Sequence, residues 1–434
     1  MRKTIIALLT GLTVAAGLVP LAADTLRLNE HDLIQRVRSH NLGLQAERAA
    51  LEARERSANS AANVILPSVR ASSGLVRSNE ESVPMPAGDP YSLSLSSTLE
   101  LQLQLSAAAL EGIRSAQLAY RAGQASYNDA RAQLEVSLRS AFHGLIVLRE
   151  AIEVARSGQD SATEQLSQVS EAFRAGTAST RALRTAESAV VESETAVWRL
   201  VTEYQSAQEQ LAAALDYPSG TRIEPVGELL HPDADRGATA ASAGIGARTD
   251  LQLVDAQHDL QRSVVRARTL QQRTPTLSLS QSWNSTLLDP FNADNPPDRA
   301  ELDRGAFALT LSMPLDSLLP FSAGAVSIRN ERDTLRSLDL QRQQARQSAA
   351  AEVSALQRAI DSSAQTVAAL AGKAELARQI YELTTEAHNA GLAPYLELRD
   401  AERELQRARF DLLNERYSYT VTRIKLEYAT GAML

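Results

Sequence analysis

The residues able to do chemistry are few. Six histidines are present, His31, His40, His143, His231, His258 and His388. No two of them stand four apart and no His-Glu-x-x-His occurs, so no helix face offers a paired imidazole site. The sequence holds no cysteine, which excludes a thiolate metal centre, a disulfide framework and a sulfur nucleophile. A metal site would have to draw histidines and carboxylates from separate segments. Neither a Gly-rich phosphate loop nor a Gly-x-Ser-x-Gly elbow occurs. The chain therefore reads as no enzyme, with no cofactor and no resident metal. What stands out is a pair of acids, Glu397 and Asp400, whose spacing of three puts both carboxylates on one helical face. They follow Gly391, which has a counterpart in Gly176. Each glycine interrupts a long helical pattern at a cost of about 1 kcal/mol relative to alanine, so each predicts a turn. The other reading of the two acids is an ordinary solvated face on which Asp400 pairs with Arg403 or Glu404 with Arg407, a kind of contact that is common and weak.

These residues need elements to hold them. The chain has 434 residues, with 44 Lys and Arg against 52 Asp and Glu. That balance leaves no electrostatic footprint for a nucleic-acid partner. Aromatics make up only 4%, as in long, narrow-cored helices. The N-terminus reads as a sorting signal: Arg2-Lys3, an uncharged run from Ile5 to Val19, then Leu21-Ala22-Ala23 before Asp24. Residues 1–23 are expected to be removed on export, the alternative being an uncleaved anchor. Mean hydropathy is -0.22, and no later apolar run is long enough for a spanning helix.

Proline placement divides the rest. None lies between Pro90 and Pro218 or between Pro320 and Pro394, and such gaps permit very long helices. Helical hairpins are expected over 106–216 and 320–431, reversing at about 158–176 and 372–391, with further helices over 28–64 and 248–273. After Pro67 and Pro275 the apolar period changes to two. Val69, Leu75, then Leu93 to Leu105, then Leu277, Leu279 and Trp283, then Phe307 to Leu315 alternate with polar residues. This predicts four strands near 67–77, 91–105, 275–284 and 305–315, joined in pairs by polar loops at 78–90 and 284–304. The order helix, strand, strand, long hairpin thus occurs twice. Glu171-Ala172-Phe173-Arg174-Ala175-Gly176 matches Glu386-Ala387-His388-Asn389-Ala390-Gly391, and Leu183-Arg184-x-Ala186-Glu187 matches Leu398-Arg399-x-Ala401-Glu402 at the same offset. The chain divides into a first repeat at 24–216, a linker at 217–247 and a second repeat at 248–434.

Four strands with one apolar face need a partner, and their edges need pairing. One solution is a soluble sheet with core aromatics. The other is a closed membrane barrel, which starts at about 8 strands; one chain cannot close it, but three would make twelve. Tyr91, Trp283 and Phe307 lie near strand ends, where aromatic side chains favour the membrane interface.

The ordered, duplicated set of motifs resembles the TolC family of outer-membrane efflux proteins over nearly all of 25–431. Besides the two tips it includes Leu44 to Leu51 leading to Ile65-Leu66-Pro67, and Arg248-Thr249-Asp250-Leu251 leading to Pro275. The resemblance implies a mainly α chain with membrane β: a homotrimer whose twelve-stranded barrel in outer-membrane lipid joins a periplasmic α-helical barrel. Residues 217–247 would belong to an equatorial region. The implied partners are a periplasmic adaptor and an inner-membrane pump of RND, ABC or MFS type. The adaptor would dock at a tip carrying Phe173, Gly176 and Thr177, and His388, Gly391 and Leu392; Glu397 and Asp400 would ring the periplasmic entrance. His388 departs from the family's aromatic ring at its position, and Ala393 replaces its usual basic residue. The implied function is a passive conduit from periplasm to exterior for drugs, toxic small molecules or polypeptides. An exported, soluble coiled-coil protein is the alternative.

Overall fold

The computed structural model describes residues 25–77, 93–232, 245–288, 301–316 and 319–432. The proposed signal segment, most of both polar loops and Tyr91 lie outside them. The element order is β1 (Thr25–Leu28), α1 (Glu30–His40), α2 (Leu42–Ser60), β2 (Ser68–Arg77), β3 (Leu93–Ser106), α3 (Ala107–Arg174) and α4 (Thr180–Ala214). It continues with β4 (Arg222–Pro225), α5 (Thr249–Arg273), β5 (Thr276–Leu288), β6 (Glu301–Ser312), α6 (Ala323–Asn389) and α7 (Tyr395–Ala429). Two 3-10 turns, Ala61–Ile65 and Ile245–Ala247, complete it.

These elements fall into two compact units. One holds the described residues up to Val37 with Ala141–Leu229 and Ala377–Leu413; the other holds Arg38–Ser140, Leu230–Leu376 and the residues from Asn414 on.

The second unit contains the antiparallel sheet, in the order β2-β3-β5-β6. Its register puts Leu101 opposite Val69, Leu99 opposite Ala71 and Trp283, and Leu103 opposite Leu279. Leu309 and Leu311 face Leu279 and Leu277. Because side chains alternate, all of these share one face. The opposite face carries Ser72, Thr98, Asn284 and Arg304 in one row, with the Thr98 hydroxyl donating to Asn284 Oδ1 at 2.6 Å. The apolar face is not covered within the chain: Val69, Leu75, Phe307, Leu309 and Leu311 are each more than half exposed.

The strands differ from their expected ends. β5 runs on through Leu288 and β6 starts at Glu301, although 284–304 had read as loop. β3 is the reason: it is long enough to pair with β5 from Ser106↔Thr276 to Ser94↔Leu288. The sequence hid this because Asn284, Ser285 and Thr286 are polar in succession. At the other end β6 stops at Ser312 rather than 315, where Pro314 has no N–H for a ladder.

The same unit has a buried polar centre. Arg248, 4% exposed, makes a two-pronged pair with Asp250 (3.0 and 2.8 Å) and reaches Glu352 on α6 at 2.8 Å. Its guanidinium lies over the Tyr428 ring. The Tyr428 hydroxyl and that of Thr249 both donate to Asp129 Oδ1, at 3.1 and 2.7 Å. Four helices, α3, α5, α6 and α7, meet there.

The first unit packs α1 on α3 through Leu33, Val37, Phe142, Leu145 and Ile146, all fully buried or nearly so. β1 and β4 pair in parallel, Thr25↔Arg222 to Leu28↔Pro225, and close this core with Ile223. Neither short strand had been anticipated, and the helix expected over 28–64 is broken. Asn41 stands extended and caps α2, accepting from Leu44 N–H at 3.0 Å.

Candidate functional site

Both hairpin turns lie in the first unit and are built alike. At the end of α3 the Gly176 N–H donates to Phe173 O at 3.0 Å and Thr177 N–H to Ala172 O at 2.9 Å. At the end of α6 the Gly391 N–H donates to His388 O at 2.9 Å and Leu392 N–H to Ala387 O at 2.8 Å. This six-to-one, five-to-two pattern needs a left-handed residue at the glycine, and φ is 76° at Gly176 and 75° at Gly391. The helices run up to each turn, so the reversals occupy only 175–179 and 390–394, shorter than the sequence had suggested. Ser179 caps α4, accepting from Ala182 N–H at 3.1 Å.

Most of the turn side chains are open to solvent, His388 being half-buried. Phe173 is 39% and Leu392 83% exposed. The Thr177 hydroxyl is spent on Ala172 O at 2.9 Å. His388 Nδ1 lies 2.8 Å from Ala393 O; a carbonyl only accepts, so Nδ1 carries the proton. The His388 ring leans on Tyr395, centroids 6.4 Å apart. Ala393 thus contributes its carbonyl to hold the imidazole.

Glu397 and Asp400 both stand exposed on the first turns of α7. Leu398, Glu402 and Leu405 form the buried stripe of this helix. At about 100° per residue, Glu397 and Asp400 are turned well away from it. Asp400 does not pair with Arg403, one of the two contacts that the solvated-face reading offered. Its contact is Arg399, at 3.5 Å, while Arg403 crosses to Glu192 on α4.

The contacts that join the two hairpins are ones sequence reasoning missed. Gln165 of α3 donates to Glu402 Oε2 at 2.8 Å, and Arg403 holds Glu192. Between α3, α4 and α7 lies a cavity of about 200 Å³, walled by Ala155, Gly158, Ala162, Ala189 and Ala196 and faced by Arg399, Glu402, Arg403 and Gln406. Burial pushes the Glu402 carboxyl above the usual range, and the hydrogen bond from Gln165 together with the nearby Ser161 hydroxyl restrains the rise. The one sequence signal was that Glu402 repeats Glu187. That does not reveal that one copy is buried and the other only half-buried.

Of the expected interface aromatics, Trp283 (48% exposed) and Phe307 (66%) both lie on the apolar face. The Trp283 indole sits beside Gly305, where an added Cβ would meet it at 3.6 Å. Among the described residues no group of three or more His, Asp or Glu is placed to hold a metal, and no helix is long and apolar enough to cross a membrane.

Comparison with known proteins agrees with this architecture. The outer membrane protein VceC from Vibrio cholerae superposes with a TM-score of 0.76 at 17% identity, over 93% of this chain and 96% of that one. The CmeC outer membrane channel of Campylobacter jejuni gives 0.80 at 14%, covering 93% and 85%. The open state of the MtrE outer membrane channel of Neisseria gonorrhoeae gives 0.70 at 17%, covering 93% and 88%. No curated protein sequence matches the chain. The family profile described as outer membrane efflux protein matches residues 33–216 and 243–432. With both repeats matched, the chain belongs to the outer membrane efflux protein family, and its place is the outer membrane.

Proposed function

We propose that three copies of the chain close a twelve-stranded barrel and that the hairpins carry the same passage into the periplasm. The observation that supports this most is the sheet. It has one uncovered apolar face, one polar face, and outer edges on β2 and β6 that no described strand pairs. Lipid satisfies such a face, and closure with further copies satisfies the edges. β3 and β5, with 14 and 13 residues, exceed the roughly 9–11 that a tilted membrane strand needs. VceC, CmeC and MtrE, which share the fold, are described as outer membrane proteins or channels.

On this reading the chain is a passive conduit for drugs, toxic small molecules or polypeptides. An inner-membrane pump supplies energy and an adaptor docks on Phe173, Gly176, Thr177, His388, Gly391 and Leu392. Glu397 and Asp400 line the entrance, where three copies make two stacked rings of carboxylates that attract cations. The test is conductance of detergent-purified protein in planar bilayers, with and without a divalent cation. Small, stable, cation-selective steps are expected. Glu397→Ala with Asp400→Ala should raise conductance or abolish divalent block. Protein that stays soluble and monomeric without detergent and forms no channels defeats the barrel; a double variant with unaltered conductance and block defeats the entrance assignment.

A further inference from the structure

The two repeats treat one ion pair differently. In the first, Arg184 and Glu187 bridge along the face of α4 at 2.7 Å, Arg184 exposed and Glu187 half-buried. Their counterparts in the second are Arg399 and Glu402, with the same spacing on α7. There the bridge is absent among the described contacts. Arg399 leans instead on Asp400 at 3.5 Å, too long for a good hydrogen bond. Glu402 is 7% exposed; its Oε2 takes the Gln165 amide, while Glu402 Oε1 and Arg399 Nε are both buried without a partner. Both side chains face the cavity between α3, α4 and α7. Glu402 Oε1 and Arg399 Nε thus border the same space, as does the unpartnered amide oxygen of Gln406, and the first two stand at a spacing that the first repeat closes.

We propose that Arg399 sets the charge of the Glu397–Asp400 pair: it covers Asp400 while Glu402 carries a proton, and turns across the cavity to Glu402 when that carboxyl ionises, leaving Asp400 bare to cations. The inference rests on the reading that the acid pair faces the conduction path. The other groups near Glu402 bring no free charge to it, and Gln406 offers Arg399 only an uncharged amide oxygen. Arg403, on the same helix, is committed to Glu192 of α4. Tyr395 is held protonated, its hydroxyl pushed up chiefly by burial. From α3 come only the uncharged Gln165 and Ser161. The proton leaves through the open side of the cavity, whose walls of alanine and glycine leave Arg399 room to swing. Burial favours the neutral carboxyl, so the swing comes as pH rises past the ordinary glutamate range. Cation preference should therefore increase with pH.

The experiment uses the full-length protein in planar bilayers. Reversal potential under a potassium chloride gradient is read across a pH series, together with the magnesium concentration for half-block. Wild type should show a step toward cation selectivity as pH rises. Glu402→Gln, nearly the same shape, should lose the step and stay at the low-pH value. Arg399→Gln should be cation-selective at every pH above the ordinary carboxylate range, without the step, and on the low-pH side of the wild-type step should reach half-block at a concentration at least about fivefold below wild type, as expected for one uncovered charge in high dielectric. The combined Glu397→Gln and Asp400→Asn variant is the reference. If it lowers selectivity while Glu402→Gln keeps the wild-type step, the Arg399 swing is wrong. If it changes nothing, the acid pair does not face the path, and that reading falls together with the inference.

Discussion

Three left-handed glycines end helices in this chain, and their surroundings predict unequal costs on substitution. Gly176, Gly391 and Gly431 have φ of 76°, 75° and 72°. Alanine at any of them meets the same backbone penalty, about 1–2 kcal/mol for an L residue in that region. At Gly176 and Gly391 nothing lies within 4 Å of an added Cβ, so the penalty is the whole effect. At Gly431 the methyl would come within 2.6 Å of Ala247 Cβ, 2.8 Å of its carbonyl carbon and 3.0 Å of its oxygen. The 3-10 turn carrying Ala247 would have to shift, adding the roughly 1–3 kcal/mol typical of overpacking. Gly431→Ala should therefore cost about 2–5 kcal/mol, and Gly176→Ala and Gly391→Ala about 1–2 each. The assay is urea unfolding of the detergent-solubilised protein, followed by far-UV circular dichroism, with the three variants compared with wild type. Equal midpoints for Gly391→Ala and Gly431→Ala would refute the argument, since backbone strain alone would then account for both.

Other predictions follow from the sheet and from the buried polar centre. Leu309→Arg or Phe307→Arg, on the uncovered apolar face, should destabilise by about 2–4 kcal/mol if the position is near the bilayer midplane. Ser280→Arg on the polar face should be tolerated. Yield of folded protein in outer-membrane fractions separates the two, and equal yields would contradict a lipid-facing side. The Tyr428 hydroxyl is pushed up to about 12, by burial first and then by Asp129 and Asp250. Its raised folded-state value means its contribution to stability is intact below the ordinary tyrosine range and is lost as pH rises through about 12. Tyr428→Phe should flatten the alkaline limb of a stability-against-pH curve; an unaltered limb would show that Tyr428 is not the titrating group.

The periodic parts of the fold were legible in the sequence for a physical reason. Alternation of Leu with Ser, Thr and Gln from Leu93 to Leu105 could suit only a strand with two unlike faces. The glycines at 176 and 391 marked turns because nothing else tolerates their φ so cheaply. What escaped notice was non-local. β1 and β4 are four residues each and pair across almost half the chain, too short for a period and too distant for a turn signal. Asn41 breaks a helix by capping its successor, which looks in sequence like one more polar residue on a helix surface. The link from Gln165 to Glu402 depends on which faces meet, and a Gln on a long helix reads as solvated until its neighbour is known. Glu397 and Asp400 were legible as a pair. The arginine beside Asp400 was visible too, but the partner it lacks was not.

The long helices also constrain how such a chain can change over generations. α3 and α6 have 68 and 67 residues, and α4 and α7 have 35 each. Losing one residue inside α3 would pull everything beyond it back by about 1.5 Å and rotate it by about 100°. Phe142, Leu145 and Ile146 would then leave the core that α1 covers, and Gln165 would leave Glu402. Insertions and deletions should therefore be costly inside the long helices and better tolerated in the connecting segments. Helix length works here as a ruler, nearly equal in the two repeats.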